Sequence, residues 1–577
     1  MSRARLNLVV ALLALWLSGL AGRLFHVQVL GHEVYEQRAE RQQQRVVKLD
    51  PPRGTIFDAR GRELAVSVEV RSVAADPTFV DDPEATAAAL ATALDLDRKR
   101  LAETLAADRA FVWIRRKLDP PDVEKVLALD LDGVFTLPES KRYYPMGSLA
   151  AHILGFVGTD DKGLAGVEFL YDRTVRSEQG QQTVVRDARR GTVRFPGLGG
   201  QEPRPGKSVV LTVDAAIQHV VEQALKKAVE NSGASRGSVV MMDPHTGAVL
   251  AMASYPTFDP NHFNAAPADH QRNLALAEPY EPGSTFKMVT LAAALEANAV
   301  DPLEKIDCLH GGITLRGTRI NDHRSFGALT TREIIAQSSN VGAIKLGMKA
   351  GRERLYDTIR GFGFGRPTGI DLPGERAGIL RPLEIWTPLE PAYAAFGQGL
   401  SINALQLVDA FAAIANGGFL PRPHVVAAIG PEDGERVPVE LQAPARMAIA
   451  ATSITQVRSM LESVVLDGTG KAAAIPGYSV AGKTGTAEKA FKGRGYVAGK
   501  YVASFVGFAP VRRPVVVCAV VLDEPWPRYH GGDVAAPVFA EIVGRTLMYL
   551  DVPPDDPERE HRWRTASKDG EGREEEA

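Results

Sequence analysis

The sequence predicts a multi-domain α/β protein held to a membrane by one helix. Three observations carry this expectation. The chain has 577 residues, enough for two or more domains of ordinary size. An apolar stretch runs from Leu6 to Leu20 behind Arg3 and Arg5. Strand-like and helix-like periods then share the chain, with strands early and late in its second half and long helical stretches between them. A sheet built from those early and late strands and flanked by helices is the expected architecture.

The bulk composition is that of a globular protein, with 45% hydrophobic and 24% charged residues. A formal net charge of −3 gives no electrostatic case for nucleic acid, and no cluster of Lys and Arg with interleaved aromatics exists. The two cysteines, Cys308 and Cys518, cannot form a disulfide scaffold, although one bridge between them stays open. Cys518, inside the apolar run Val515 to Val521, reads as a small buried hydrophobe. No His/Cys spacing suggests a metal site, and none is expected.

In chain order, Leu6 to Gly22 is at the short end of a membrane span, and the apolar pattern resumes at Leu24 after Arg23. Arg23 can snorkel, so a retained anchor is preferred over a signal peptide cleaved near Gly19-Leu20-Ala21. Arg3 and Arg5 place the terminus in the cytoplasm and the bulk outside. Glu33 to Gln44 reads as a polar helix. Thr55 to Val66 reads as a hairpin turning near Ala59-Arg60-Gly61. Helical spacing covers Asp82 to Leu105, and a further helix starts at Asp119-Pro120-Pro121-Asp122 and runs to Leu129. Turn formers from Gly197 to Gly206 mark a domain boundary. A strand follows over Ser208 to Thr212, then a helix from Asp214, its N-cap, to Glu230. Ser238 to Asp243 and Ala248 to Ala253 pair around Pro244-His245-Thr246-Gly247. Long helical stretches occupy Lys287 to about Ala450. Strands return at Tyr478 to Glu488, Val502 to Phe508 and Val515 to Leu522, and a helix from Pro537 to Leu550 closes the domain. Asp551 to Ala577 carries ten acidic and five basic residues and reads as a disordered tail.

Three motifs lie along this chain in one order: Ser284-Thr285-Phe286-Lys287, Ser338-Ser339-Asn340 and Lys483-Thr484-Gly485. Each is weak alone. A helix-capping serine, a helix-capping turn or a strand with an exposed lysine would explain each one separately. Together they supply what a serine acyltransferase needs. Ser284 opens a helix, whose dipole and free N–H groups favour the developing negative charge. Lys287, one turn on, can take the hydroxyl proton if burial lowers its pKa. Ser338 can relay a proton and Asn340 can hold a substrate amide. Ser339 receives no role. Lys483 supplies a second cation, for a carboxylate or for tuning Lys287. Thr484, Gly485 and Thr486 form a substrate-binding strand, where Gly485 permits close backbone approach. The N–H groups of Thr486 and Ser284 can form an oxyanion hole.

One rival overlaps the third motif. Gly477 to Thr484 fits the phosphate-loop pattern, but a poor strand precedes it and Gly485 is a poor helix start. No Gly-x-Ser-x-Gly elbow frames Ser284. His310, His323 and His530 read as loop histidines without a role.

At these residues the chain resembles the class B penicillin-binding proteins, FtsI type, over about residues 5–550. Glu281 to Lys287 looks like the family's nucleophile segment. Arg53 to Asp58, Arg142 to Pro145 and Gly163 to Glu168 resemble the three motifs of its amino-terminal pedestal, read here as structural. Gly531 to Phe539 resembles its closing turn and helix. The resemblance implies a penicillin-binding, serine-transpeptidase fold: a central, mainly antiparallel sheet between helices, an elongated α+β pedestal and one transmembrane helix. It implies an anchor over residues 1–30, a pedestal over 31–205, a transpeptidase domain over 206–550 and a tail over 551–577. It further implies a peptidoglycan D,D-transpeptidase that acts on D-Ala-D-Ala stem peptides, is acylated by β-lactams at Ser284, and needs no cofactor. An FtsW-type glycosyltransferase would be its partner, and the cytoplasmic membrane of a bacterium its location, with the catalytic domain outside.

Two departures from the family pattern stand out. Asn403-Ala404 replaces the usual Thr-Pro, where Asn can still cap the next helix. No β-lactam-sensing repeats follow Leu550. Three alternatives remain: an elongation-type class B transpeptidase, a D,D-carboxypeptidase or β-lactamase-like hydrolase, and a division scaffold with an idle serine site.

Overall fold

The computed structural model describes residues 3–33, 35, 44–49, 51–177, 180–186, 192–193, 200–201, 204–440, 446–491 and 495–556. Most of the expected polar helix at Glu33 to Gln44, part of the boundary at Gly197 to Gly206, and the tail beyond residue 556 lie outside them. The amino-terminal helix, Arg3–Phe25, runs straight through Arg23 and ends in a wider turn, His26–Leu30. It is the one helix among the described residues long and apolar enough to cross a membrane, and none of its apolar residues is buried against the protein.

The five-stranded central sheet has the order Val249–Tyr255, Arg236–Met242, Val516–Asp523, Gly495–Ala509, Ala481–Phe491, and every pairing is antiparallel. Its strands read as unbroken apolar runs because both faces are covered. Alternate residues prove the point. Val239, Met241, Phe505, Cys518 and Val520 pack with helices Ala215–Ser232 and Ala536–Tyr549. Val240, Met242, Val506, Phe508 and Val517 join the larger core, which holds helices Lys287–Glu296 and Ala404–Ala415. Asp214 caps the first of these helices, accepting from Ala216 N at 2.8 Å. Asn403 caps Ala404–Ala415 in a reciprocal box with Gln406, at 2.8 and 3.0 Å. Cys308 and Cys518 are both buried and free, so the possible bridge is not formed.

Two expectations need correction. The helical stretch from Asp82 to Leu105 is two helices, Pro83–Leu94 and Arg98–Leu105. Asp95 turns left-handed at φ 52°, and Asp97 caps the second helix through Arg100 N at 2.8 Å, so these short polar side chains stop one helix and start another. The span Lys287 to Ala450 is not all helical either. It contains the strand pair Lys305–Asp307 with Ala328–Thr330, the hairpin Gly312–Leu315 with Thr318–Asn321, and the strand Val426–Gly430. These strands are too short to show a period of two above the helical background.

The amino-terminal region is joined to the catalytic one by a shared sheet. Ile56–Phe57 pairs antiparallel with the long strand Glu63–Ala75, as the hairpin reading required, and parallel with Ser208–Leu211. Ser208–Leu211 in turn pairs with Val426–Gly430. Beside this junction the three pedestal motifs meet in one buried ion cluster. Glu168 accepts from Arg53 Nε at 2.7 Å and from Arg142 Nε at 2.6 Å, and Arg53 Nη1 reaches Asp172 at 2.6 Å. The Arg53 and Glu168 side chains are fully sequestered. Removing Glu168 leaves the buried Arg142 without a carboxylate and Arg53 with Asp172 alone. Glu168→Ala is therefore expected to lose about 3–5 kcal/mol in thermal or urea unfolding of the full chain. A loss below about 1 kcal/mol would contradict this account of the junction.

Candidate active site

Ser284 stands in a tight turn, Gly283–Phe286, that runs directly into the buried helix Lys287–Glu296. The turn is pinned from below, where Gly283 N donates to Gly397 O at 3.0 Å and Thr285 Oγ1 to Pro282 O at 2.9 Å. Ser284 itself is half-exposed, and its hydroxyl makes no hydrogen bond to the described residues. Lys287 is wholly buried. Its Nζ donates to Ser338 O at 2.6 Å and Asn340 Oδ1 at 2.8 Å, and lies 3.2 Å from Ser338 Oγ.

The second motif is a turn between helices Thr331–Gln337 and Asn340–Ala350. Ser338 takes the left-handed conformation, φ 62°, rare for a residue with a side chain. That conformation lets both its carbonyl and its hydroxyl meet Lys287. Ser339, which had no expected role, caps the following helix by accepting from Gly342 N at 2.9 Å. Asn340 spends its amide on Asn321 O at 3.0 Å while its oxygen receives Lys287.

Lys483 lies in the edge strand Ala481–Phe491 and is also wholly buried. Its Nζ lies 3.0 Å from Ser338 Oγ, so both lysines converge on one hydroxyl. Lys483 also approaches Thr484 O at 3.3 Å and Thr484 Oγ1 at 3.4 Å. Thr484 Oγ1 is shared with Thr469 Oγ1 at 2.7 Å. Thr486 Oγ1 accepts from Gly531 N at 3.1 Å, which docks the closing segment on the strand. Gly485 is required by space: a Cβ there would collide with Ser504 Oγ and stand 3.1 Å from Pro282 O. The strand assignment of residues 481–484 also removes the phosphate-loop reading, which needs a loop entering a helix there.

The electrostatics follow from burial. Desolvation pushes Lys287 down to about 7, with the Asp322 carboxylate opposing it. Lys483 is driven well below its ordinary value by the same loss of water, and then by the neighbouring charge of Lys287. No carboxylate among the described residues forms an ion pair with either amine.

Asp322, Tyr501 and Tyr529 escaped the sequence reading, in which His323 and His530 have no role. Asp322 follows the hairpin Gly312–Asn321 and braces the second motif. Its Oδ2 accepts from Ser339 Oγ at 2.7 Å, and its Oδ1 accepts from Val341 N at 3.0 Å and from Asn340 N. Its partners lie 17 to 19 positions downstream, so no local pattern marks it. His323, beside it, is held below the usual histidine range by burial and then by the charges of Lys287 and Arg324. Tyr501 stacks on Tyr529 at 4.3 Å, and Tyr529 meets the His530 ring at a tilt at 4.5 Å, leading to Gly531.

Comparison with known proteins agrees in extent and in kind. The family described as the penicillin-binding protein transpeptidase domain matches residues 237–544, and the penicillin-binding protein dimerisation domain matches 48–211. Stage V sporulation protein D of Bacillus subtilis is 36% identical over 94% of this chain and 85% of its own length. The probable peptidoglycan D,D-transpeptidase PenA of Neisseria meningitidis is 35% identical over 96% of this chain and 94% of its own. FtsI of Escherichia coli, named a peptidoglycan D,D-transpeptidase, is 33% identical over 96% and 92%. Among solved structures, penicillin-binding protein 3 of Mycobacterium tuberculosis in complex with aztreonam is 31% identical, with a TM-score of 0.69 over 89% of this chain and 99% of that one.

Among the described residues, Asp322 is the carboxylate that supports a charge on Lys287. Asp322→Asn keeps the shape and removes that support, so Lys287 should titrate at a lower pH than in the wild type. Nitrogen NMR of labelled lysine reads this directly, and an unchanged or raised midpoint would refute it.

Proposed function

The chain belongs to the class B penicillin-binding proteins, and we propose that it cross-links peptidoglycan at the division septum as a serine D,D-transpeptidase. The observation that carries the reading is the meeting of Lys483 and Lys287, the latter three residues after Ser284, on Ser338 Oγ at 3.0 and 3.2 Å. Two buried amines this close to one hydroxyl form a proton relay.

Hydrogen-bond counting supports the division of labour. Lys287 faces two strong acceptors, Ser338 O and Asn340 Oδ1, which a neutral amine with two N–H groups satisfies, leaving its lone pair free. Lys483 faces three acceptors, which its three N–H groups fill once a bound substrate carboxylate restores its charge. Ser284 Oγ attacks the carbonyl carbon between the two terminal D-alanines of a stem peptide, and Lys287 takes its proton. The backbone N–H groups of Ser284 and Thr486 receive the oxyanion, each such donor being worth about 10²–10³ in rate. The C–N bond breaks, and D-alanine leaves with a proton passed through Ser338. An amine of a second stem then attacks the ester. Its proton returns by the same relay to Ser284 Oγ, and the new amide is the cross-link. Lys483, Thr484 and Gly485 hold the substrate's terminal carboxylate and backbone, and a carboxylate arriving there restores the charge on Lys483. β-Lactams acylate Ser284 by the same first step.

The same reading sets the surroundings. Residues 1–30 anchor the chain by a single pass in the cytoplasmic membrane, with Arg3 and Arg5 inside and the catalytic domain, 206–550, outside. Residues 31–205 form the pedestal. An FtsW-type glycosyltransferase supplies the glycan.

A fluorescent penicillin is expected to label the wild type covalently and leave Ser284→Ala dark. Labelling of the alanine variant would remove Ser284 as nucleophile. Paired stem peptides should give cross-linked dimers, and release of tetrapeptide alone would make the protein a carboxypeptidase.

A further inference from the structure

The closing helix Ala536–Tyr549 stops where Asp551 turns left-handed at φ 52° and Val552 N returns to Leu547 O at 3.0 Å. The chain then doubles back onto the entry of the strand that carries Lys483. Val552 O accepts from Tyr478 Oη at 2.6 Å, and Asp556 N donates to Gly477 O at 3.1 Å. Between them the Asp555 carboxylate accepts both polar hydrogens of Ser479, that of its N–H at 2.8 Å and that of its hydroxyl. Pro553 and Pro554 stiffen the link from Val552 to Asp555.

Ser479 is buried, and its oxygen has a second duty. It accepts from Val511 N at 2.8 Å, in the turn that joins the strands Gly495–Ala509 and Val516–Asp523. Asp555 thus fastens the start of the Lys483 strand to the neighbouring turn through one hydroxyl. Lys483 stands four positions on from Ser479, and the residues between are packed on opposite faces. Val480 is buried with the closing helix, and Ala481 lies in the larger core. A strand wedged on both faces carries a shift at its start along its length.

Fastening at this end matters because the strand is the edge of its sheet. One side pairs with Gly495–Ala509. The other faces the nucleophile turn, where a Cβ on Gly283 would stand 3.5 Å from Thr486 O. A further strand on that side would block the site, so the edge is left without a second ladder to fix it. Gly531 holds Thr486 from downstream, and Asp555 holds Ser479 from upstream.

We propose that Val552–Asp556 is a clasp that positions Lys483, and that Asp555, acting through Ser479, is a positioning residue for the acylation of Ser284. Asp555 touches no reacting atom. It sets where Lys483 and Thr484 meet the substrate's carboxylate and where the Thr486 N–H meets the oxyanion. The clasp lies beyond residue 544, where the match to the transpeptidase domain ends. Its role rests on the transpeptidase reading above and adds a part of the chain that reading does not use.

The test measures acylation of the full chain by a penicillin and by its methyl ester, which lacks the carboxylate charge. Each rate is taken per penicillin-labelled protein, so a loss of folded enzyme does not enter the acid-over-ester ratio. The wild type should favour the acid. In Asp555→Ala and in Ser479→Ala the ratio should fall about tenfold, the scale of a small misplacement of a binding group. The double variant should fall no further, because the two side chains act as one unit. Asp555→Asn keeps the shape and one acceptor; it serves if the alanine variant fails to fold, and should lower the ratio about threefold. A ratio unchanged in the folded variants, whatever the absolute rates, or a double variant far below either single one, would overturn the proposal. So would a wild type that treats acid and ester alike, while its labelling still upholds the transpeptidase. A wild type that penicillin does not label would overturn both.

Discussion

Two lysine side chains are buried together in this protein, and their shared lack of water governs everything near Ser284. An ammonium taken from water into a protein interior pays a large desolvation cost, and a second one beside it pays again in repulsion. Lys287 and Lys483 both reach Ser338 Oγ, at 3.2 and 3.0 Å, and neither has a carboxylate in direct contact among the described residues. The pair therefore gives up protons more readily than lysines in water. On the proposed function, this is what lets Lys287 serve as a base near neutral pH.

The fold reads as the device that keeps those amines dry and aimed. Each lysine comes from a different kind of element: one from a fully buried helix, one from the edge strand of a sheet covered on both faces. Helix Lys287–Glu296 lies in the larger core, and its neighbour Asn340–Ala350 begins at the very turn that receives Lys287. The strand is brought close by a missing side chain at Gly485 and held from outside by Gly531 on Thr486. Ser338 carries the conformational cost of the arrangement, a left-handed backbone imposed between two helices. Asp322 offsets it by gathering Ser339, Asn340 and Val341 onto one carboxylate.

Much of this was legible in the residues, because the signals were local. Ser284 and Lys287 share one turn, helices end and begin around Ser338, and the alternating core of the late strands appears as continuous apolar runs. The capping roles of Asp214 and Asn403 were visible for the same reason. What stayed hidden depends on distance along the chain. Asp322 acts on residues 17 to 19 positions away, through a hairpin too short to announce itself. The Tyr501–Tyr529 stack joins residues from a strand and a distant loop. The clustering of Arg53, Arg142 and Glu168 spans separations of 26 to 115 residues, so the three segments could be singled out without their mutual ion pairs being seen. The break at Asp95 was within local reach, but the alanine-rich helical pattern on both sides masked it.

The central claim is that burial makes Lys287 a neutral base near neutrality, and the rate of Ser284 acylation against pH tests it most directly. In single-turnover reactions with a penicillin from pH 5 to 9, the rate should rise as Lys287 loses its proton, with a midpoint near 7, and level off above it. A rate still climbing at the top of that range, toward the ordinary lysine value of 10.5, or one flat throughout, would contradict the claim.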